Sequence, residues 1–270
     1  YVLVICFAPR NAAQRHLNTP AEQMEGPNEQ FFVKKEIPVI LFSARWNHWW
    51  QTPEMDEVIT YLKDQGVFDN YRQVVTYGMS MGGYGALMYS KKMGASRAIA
   101  FAPQYSLDSK LVPGERRWEV DRKRFRSYYD DMDEGLIKDG QVIIFYDTLY
   151  DGDRTHVRLV QKHREIDTVS VPLSNHRVGR MLDDMGILSS VVVKALREGV
   201  DAREVRQLVR TTRRRSPLYL SAVSQVLMKR GDADGAIKLG NEAVLHLDQQ
   251  VEAAPNRLNS ADRAAAMADV

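Results

Sequence analysis

The chain has 270 residues, 44% hydrophobic and 27% charged, enough for one sizeable core plus an appendage. Its 37 basic and 35 acidic residues leave a net charge of +2, so no global field singles out nucleic acid or an anionic membrane surface as a partner. Cys6 is the single cysteine, which excludes an internal disulfide and a cysteine metal site and fits a reducing, cytoplasmic compartment.

Residues 1–7, YVLVICF, form an apolar β-type run. The run is too short for a signal peptide and has no basic leader, so it reads as a strand. A start inside a strand is what a piece of a longer protein would show. No uninterrupted apolar stretch approaches the ~18 residues of a membrane span. Further short runs follow at 37–43, 73–77, 97–102, 141–147 and 167–173. Most are apolar throughout rather than alternating, the pattern of strands buried on both faces. Helical patterns lie between several of them. PEMDEVITYLKDQG carries Met55, Ile59 and Leu62 at helical spacing and stops at Gly66, YGALMYSKKMGA follows the third strand, and RTHVRLVQKHRE follows the fifth. This alternation predicts an α/β domain with a mostly parallel sheet flanked by helices over residues 1–198. From about 199 the chain reads as all-helical. DAREVRQLVRTTRRR is a basic, polar helix, and residues 217–248 form a hairpin joined at Gly231-Asp232. Ala222, Val226, Gly231, Ala236 and Ala243 fall roughly where a tetratricopeptide repeat places small and apolar residues. A single copy cannot bury its own face, so a hairpin docked on the sheet domain is the plainer expectation. The tail at 256–270 is alanine-rich.

The third strand ends in Gly78-Met79-Ser80-Met81-Gly82-Gly83, a G-x-S-x-G pattern between a strand and a helix. Such a corner holds the serine in a strained conformation with its Oγ clear of the sheet edge, and the helix N-terminus aims free N–H groups at it. Glycines two residues on either side remove side chains that would collide there. In this context the motif presents a nucleophile beside an anion hole.

On these residues the chain resembles the α/β-hydrolase superfamily over roughly residues 1–198, and with it serine esterases and acyltransferases. The resemblance implies the order nucleophile, acid, histidine. It implies His176, in SNHRVGR directly after the sixth strand, as the general base. The acid belongs on the loop after the fifth strand, FYDTLYDGDRTHV, where Asp153 is preferred and Asp151 is the alternative. Asp147 ends the strand itself and reads as structural. Asp153 is also placed to cap the helix that follows. Two backbone donors should form an oxyanion hole: the amide of Met81, and one from CFAPRN, where Pro9 has no N–H and Ala8 is preferred over Arg10.

SARWNHWWQTPE, residues 43–54, lies at the same sheet edge as the serine. Arg45, Asn47, His48, Trp49 and Trp50 are its candidate substrate-binding residues, since aromatic faces with nearby polar donors suit sugars. Packing of the tryptophans under the loop is the competing expectation. Residues 104–140 form a long, charged, lid-like insertion, in which RRWEVDRKRFRSYY interleaves basic and aromatic residues that would suit an acidic substrate or a carbohydrate, or a solvated helix. Neither a metal cluster nor a phosphate loop is apparent, and the implied mechanism needs no cofactor. The expected activity is ester hydrolysis through an acyl-enzyme, with an O-acyl group on a carbohydrate as the favoured substrate. Acyl transfer in glycan or polysaccharide processing uses the same apparatus, as does a peptidase. A non-catalytic scaffold that binds a protein partner through the helical region is the reading from a different class.

Overall fold

The computed structural model describes residues 1–10, 26, 28–124 and 131–253. His16, the end of the basic–aromatic stretch at 125–130 and the alanine-rich tail lie outside the described residues. In chain order the elements are β1 (Val2–Phe7), α1 (Glu29–Lys34), β2 (Val39–Phe42), α2 (Glu54–Asp64), β3 (Gln73–Met79) and α3 (Met81–Met88). Then come β4 (Arg97–Phe101), two short helices α4 (Glu119–Arg122) and α5 (Met132–Gly135), β5 (Gln141–Tyr146), α6 (Asp151–Val160) and β6 (Asp167–Ser170). Only helices follow: α7 (Val178–Asp184), α8 (Leu188–Arg197), α9 (Ala202–Thr212), α10 (Pro217–Lys229) and α11 (Ala233–Ala253).

The six strands form one sheet in the order β2-β1-β3-β4-β5-β6, and every pair is parallel. The unbroken apolar runs are explained by period-two alternation between two buried faces. Leu3, Ile5 and Phe7 of β1 join Ala98, Ala100, Val142 and Ile144 in a core covered by α2, α3 and α6. Val4 and Cys6 join Val75, Tyr77, Ile99, Phe101, Ile143 and Phe145 in a second core covered by α1, α7, α8 and α9. This is the α/β architecture expected of the sequence. One helix behaves differently from its polar look: α9 buries Ala202, Val205 and Val209 in the second core. A boundary at 199 therefore falls between two helices that share that core.

The α10–α11 hairpin turns at Gly231, φ 85°, where Asp232 Oδ1 accepts from the Gly235 amide at 2.9 Å. It docks on α7: the Leu218 amide donates to Asp184 Oδ2 at 3.2 Å and Gln250 Nε2 to the Asp184 carbonyl at 3.3 Å. Ser216 Oγ also donates to the Asp184 carboxylate.

The sheet order reverses at β1, which pairs with β2 on one side and β3 on the other. Ligands of open parallel sheets bind outside the carboxyl ends of strands at such a switch point. Phe7 of β1 lies opposite Gly78 of β3, so the serine corner begins there. The approach is close. A Cβ on Gly82 would sit 2.2 Å from the Phe7 carbonyl oxygen, and one on Gly78 would sit 2.2 Å from the Gly82 carbonyl oxygen. Both obstacles are backbone. Gly82→Ala should therefore cost about 3 kcal/mol through forced backbone shifts and lower the thermal midpoint by roughly 6–12 °C. Calorimetry checks this, and a midpoint within a degree or two of wild type would show that the corner can shift freely.

Candidate active site

Ser80 has φ 52° and ψ −119°, a region that costs a non-glycine residue on the order of 1–3 kcal/mol. Its neighbours enforce it. The Ser80 amide donates to the Phe101 carbonyl of β4 at 2.8 Å, and the Ser80 carbonyl accepts from the Tyr84 amide one turn into α3. The corner thus ties two strand ends and a helix start together.

His176 lies in the loop between β6 and α7, and its Nε2 is 2.8 Å from Ser80 Oγ. Leu173 and Asn175, just before it, have φ of 64° and 48°. Asp147, at the end of β5, stabilises this bent loop: its Oδ2 accepts from the Asn175 amide at 2.8 Å and its Oδ1 from the Leu149 amide at 2.9 Å. Burial pushes the Asp147 carboxyl up, against the pull of these amides, and the nearby charge of Asp153 adds to the rise.

His176 Nδ1 lies 2.9 Å from Asp153 Oδ1 and 3.0 Å from Oδ2. Asp153 is fully buried. It does not cap α6, whose N-cap is Tyr150; the helix starts three residues earlier than the sequence pattern indicates, and its first turn carries the carboxylate inward. Asp151 is exposed and pairs with Arg154. Ser80, His176 and Asp153 are thus brought together, and Asp151 is not part of the group.

A second layer comes from the insertion. Arg117 Nη1 donates to Asp153 Oδ1 at 2.7 Å, and its Nε and Nη2 donate to Glu115 at 3.0 and 2.5 Å. Glu115 Oε2 is 2.9 Å from His156 Nε2, and His156 Nδ1 accepts from the Tyr105 amide at 2.9 Å. His156 is completely buried. Burial alone would push the Glu115 carboxyl up. Hydrogen bonds from His156 and Arg117, with the Arg117 charge, outweigh that and hold it well below the usual carboxylate range. Burial lowers the Arg117 guanidinium, but its bonds to Glu115 and Asp153 more than reverse the effect. Arg117 is therefore a fixed cation. Nearby, Asp121, nearly fully buried, accepts from Arg10 Nε at 2.7 Å and from Trp49 Nε1 at 3.0 Å. The Trp118 ring lies 5.5 Å from the His176 ring, with Arg10 and Arg117 at 5.3 and 5.5 Å from its centre.

Three expectations change. The Ala8 amide donates to the Phe42 carbonyl at 2.9 Å, so strand pairing with β2 consumes the donor that was to serve the oxyanion hole. Arg10 is the other residue considered there. Met81 stands at the first position of α3, where an amide has no partner within its helix. Trp49 and Trp50 are each 1% exposed, so their rings are packing rather than a ligand platform. Trp50 Nε1 donates to the Met81 carbonyl at 3.0 Å and its ring meets Phe7 edge-on, whereas the Trp49 ring lies 5.3 Å from that of Trp118; both tryptophans have positive φ. His48 is half-buried and accepts from the Trp50 amide at 3.0 Å, which holds the loop. Burial lowers its pKa, against the nearby charge of Glu54. Asn47 is also buried, whereas Arg45 and Trp46 are exposed.

Glu115, Arg117, Trp118, Asp121 and His156 have no sequence signal for these contacts. Glu115 meets His156 across 41 positions and Arg117 meets Asp153 across 36. Among the described residues, no group of three or more His, Cys, Asp or Glu could hold a metal ion, and no helix is long and apolar enough to cross a membrane.

No protein-family model matches the sequence, and no curated protein matches it. Among solved structures, the Glycosylation Associate Protein (Gap123) complex from Streptococcus agalactiae matches with a TM-score of 0.52 at 14% identity. That match covers 73% of this chain and 42% of the other, so the chain spans less than half the length of that neighbour. An α/β serine hydrolase without lid from Xanthomonas campestris matches with a TM-score of 0.42 at 13% identity, over 73% of this chain and 83% of its own. Carboxyl esterase 2 from the mycorrhizal fungus Tuber melanosporum matches with a TM-score of 0.40 at 13% identity, over 78% and 77%. At 14% identity the likeness to the Streptococcus agalactiae complex is one of fold.

Proposed function

We propose that the chain is a serine hydrolase or acyltransferase that acts on an ester. The observation that carries this reading is the serine at a strained strand–helix corner, 2.8 Å from a histidine whose other nitrogen faces a buried carboxylate. In the mechanism, Ser80 Oγ attacks the ester carbonyl carbon and its proton passes to His176 Nε2. The amides of Met81 and Arg10 stabilise the oxyanion. The carbon–oxygen bond to the alcohol breaks, and Nε2 returns the proton to the leaving oxygen. Water, or the hydroxyl of an acceptor, then attacks the acyl-enzyme, again giving its proton to His176, and Ser80 recovers it on release. Asp153 orients the imidazole and stabilises its cation; Arg117 pairs with the same carboxylate oxygen and shares its charge. Hydrolysis and transfer differ only in the acceptor. A carbohydrate or another polar alcohol is the favoured substrate, supported by the polar side chains Tyr150, Asn175 and Arg177 around His176.

The test is labelling with a fluorophosphonate, with peptide mapping. A stoichiometric adduct on Ser80 that disappears in His176→Ala is the expected result. A folded wild type that takes up no label would count against catalysis. It would favour the second reading, partner binding through the helical hairpin, for which the exposed Met228, Ile237 and Leu245 speak.

A further inference from the structure

Arg117 serves two carboxylates at once. Its Nε lies 3.1 and 3.0 Å from the two oxygens of Glu115 and its Nη2 lies 2.5 Å from Oε2. The Arg117 amide adds a bond of 2.7 Å to Oε1. This fork leaves Nη1 for Asp153, 2.7 Å from Oδ1. The same oxygen faces His176 Nδ1 at 2.9 Å, and Nη1 stands 3.5 Å from that nitrogen. A permanent cation thus lies beside the imidazole that must itself become a cation. Little water screens the group: the side chains of Glu115 and Asp153 are 5% and 0% exposed.

An uncompensated guanidinium there would oppose proton uptake by His176, the step on which attack by Ser80 depends, because a like charge disfavours the imidazolium. Glu115 supplies the compensation. Against its burial, bonds from His156 and Arg117 hold its carboxyl well below the usual carboxylate range. The Tyr105 amide donates to His156 Nδ1, so the proton of that ring sits on Nε2, aimed at Glu115 Oε2. The His156 ring is therefore neutral and adds no charge of its own. Glu115 and Arg117 together carry no net charge, which leaves the charge of Asp153 for His176.

We propose that Arg117 and Glu115 are a matched pair of positioning residues: Arg117 fixes the Asp153 carboxylate through Oδ1, and Glu115 offsets the guanidinium so that Asp153 still stabilises the His176 cation. This rests on the ester-cleaving reading. The two residues act on His176 with opposite charges, so their loss should act with opposite sign, whereas lost packing has no sign. The other charges around His176 stay in place when either is replaced: Arg177 and Arg180 beside it, Asp147 under its loop, and the Arg10–Asp121 pair across Trp118.

With an activated acetyl ester, the acid limb of the kcat/KM profile reports protonation of the base in the free protein. Arg117→Gln should move that limb up by about one pH unit, since removing a neighbouring cation favours the imidazolium. Glu115→Gln should move it down, and by less, because Glu115 reaches His176 through Arg117. The double variant should lie between the two. Arg117→Lys keeps the charge and loses the fork; its limb should stay in place while kcat falls about tenfold or more through lost orientation. If Arg117→Gln fails to fold, Glu115→Gln and Arg117→Lys carry the test. The opposed shifts should also appear without turnover, in Ser80→Ala protein, as the titration midpoint of the His176 ring by NMR, with His176→Gln giving the assignment. Shifts of the same sign in Arg117→Gln and Glu115→Gln, or lower rates with an unmoved limb in both, overturn the proposal. Ser80 labelling without opposed shifts would defeat this inference alone. Opposed ring titrations with no labelling and no turnover would defeat the ester-cleaving reading and leave the charge pairing standing.

Discussion

Replacing Ser80 with alanine should lower ester turnover by about 10⁴-fold or more, since removing the nucleophile of such a group costs that order of rate or beyond. The fold should tolerate it. Alanine loses the hydrogen bond between Oγ and His176 Nε2 at 2.8 Å, and a single neutral bond contributes about 1 kcal/mol. The backbone bonds of the corner, from the Ser80 amide to Phe101 and from the Tyr84 amide to Ser80, do not involve the side chain. The thermal midpoint should therefore move by roughly 2–4 °C at most. Steady-state turnover of an activated acetyl ester, run beside calorimetry, checks both halves. A variant that retains most of its turnover would place the chemistry elsewhere.

Three aspartates near the site should separate in the second experiment. Asp153→Asn should slow turnover by about 10⁴-fold, because the amide presents the wrong partner to Nδ1 and disfavours the productive tautomer. It also leaves Arg117 facing a neutral group. Asp151→Asn should change turnover less than about twofold, since Asp151 is exposed and its partner is Arg154. Asp147→Asn should act through the loop: losing the carboxylate that holds the Asn175 amide should destabilise the protein and reduce rate by less than Asp153→Asn does. Parallel kcat measurements with melting curves rank the three. A larger rate loss at Asp151 than at Asp153 would reassign the acid.

The parts of this structure that are legible in the sequence have local signals. Unbroken apolar runs such as VLVICF and QVIIFY identify strands because both faces are buried, and Ser80 stands out because glycines must flank so tight a corner. His176 and Asp153 are reached through chain order after a family resemblance, which narrows the search to two loops. Asp153 against Asp151 turns on where α6 begins, and a shift of three residues in a helix start changes which carboxylate faces inward. The Ala8 amide is assigned to the oxyanion because the sequence does not show that β2 pairs one residue past the end of β1. Trp49 and Trp50 look like a sugar platform from composition, whereas their burial depends on segments distant in sequence, Asp121 and Trp118 for Trp49 and Phe7 and Met81 for Trp50. Arg117 is illegible for a general reason: a charged residue inside a charged insertion looks solvated until the fold brings a buried carboxylate to it.

The insertion touches the site at three places: Arg117 on Asp153, Asp121 on Arg10 and Trp118 beside His176. A cover that swung away would take Arg117 from Asp153 and Glu115 from His156, and parting a buried pair costs about 3 kcal/mol or more. Fewer than about one molecule in a hundred would be open at any moment. Traffic of substrate and product through that route would be throttled by the same factor.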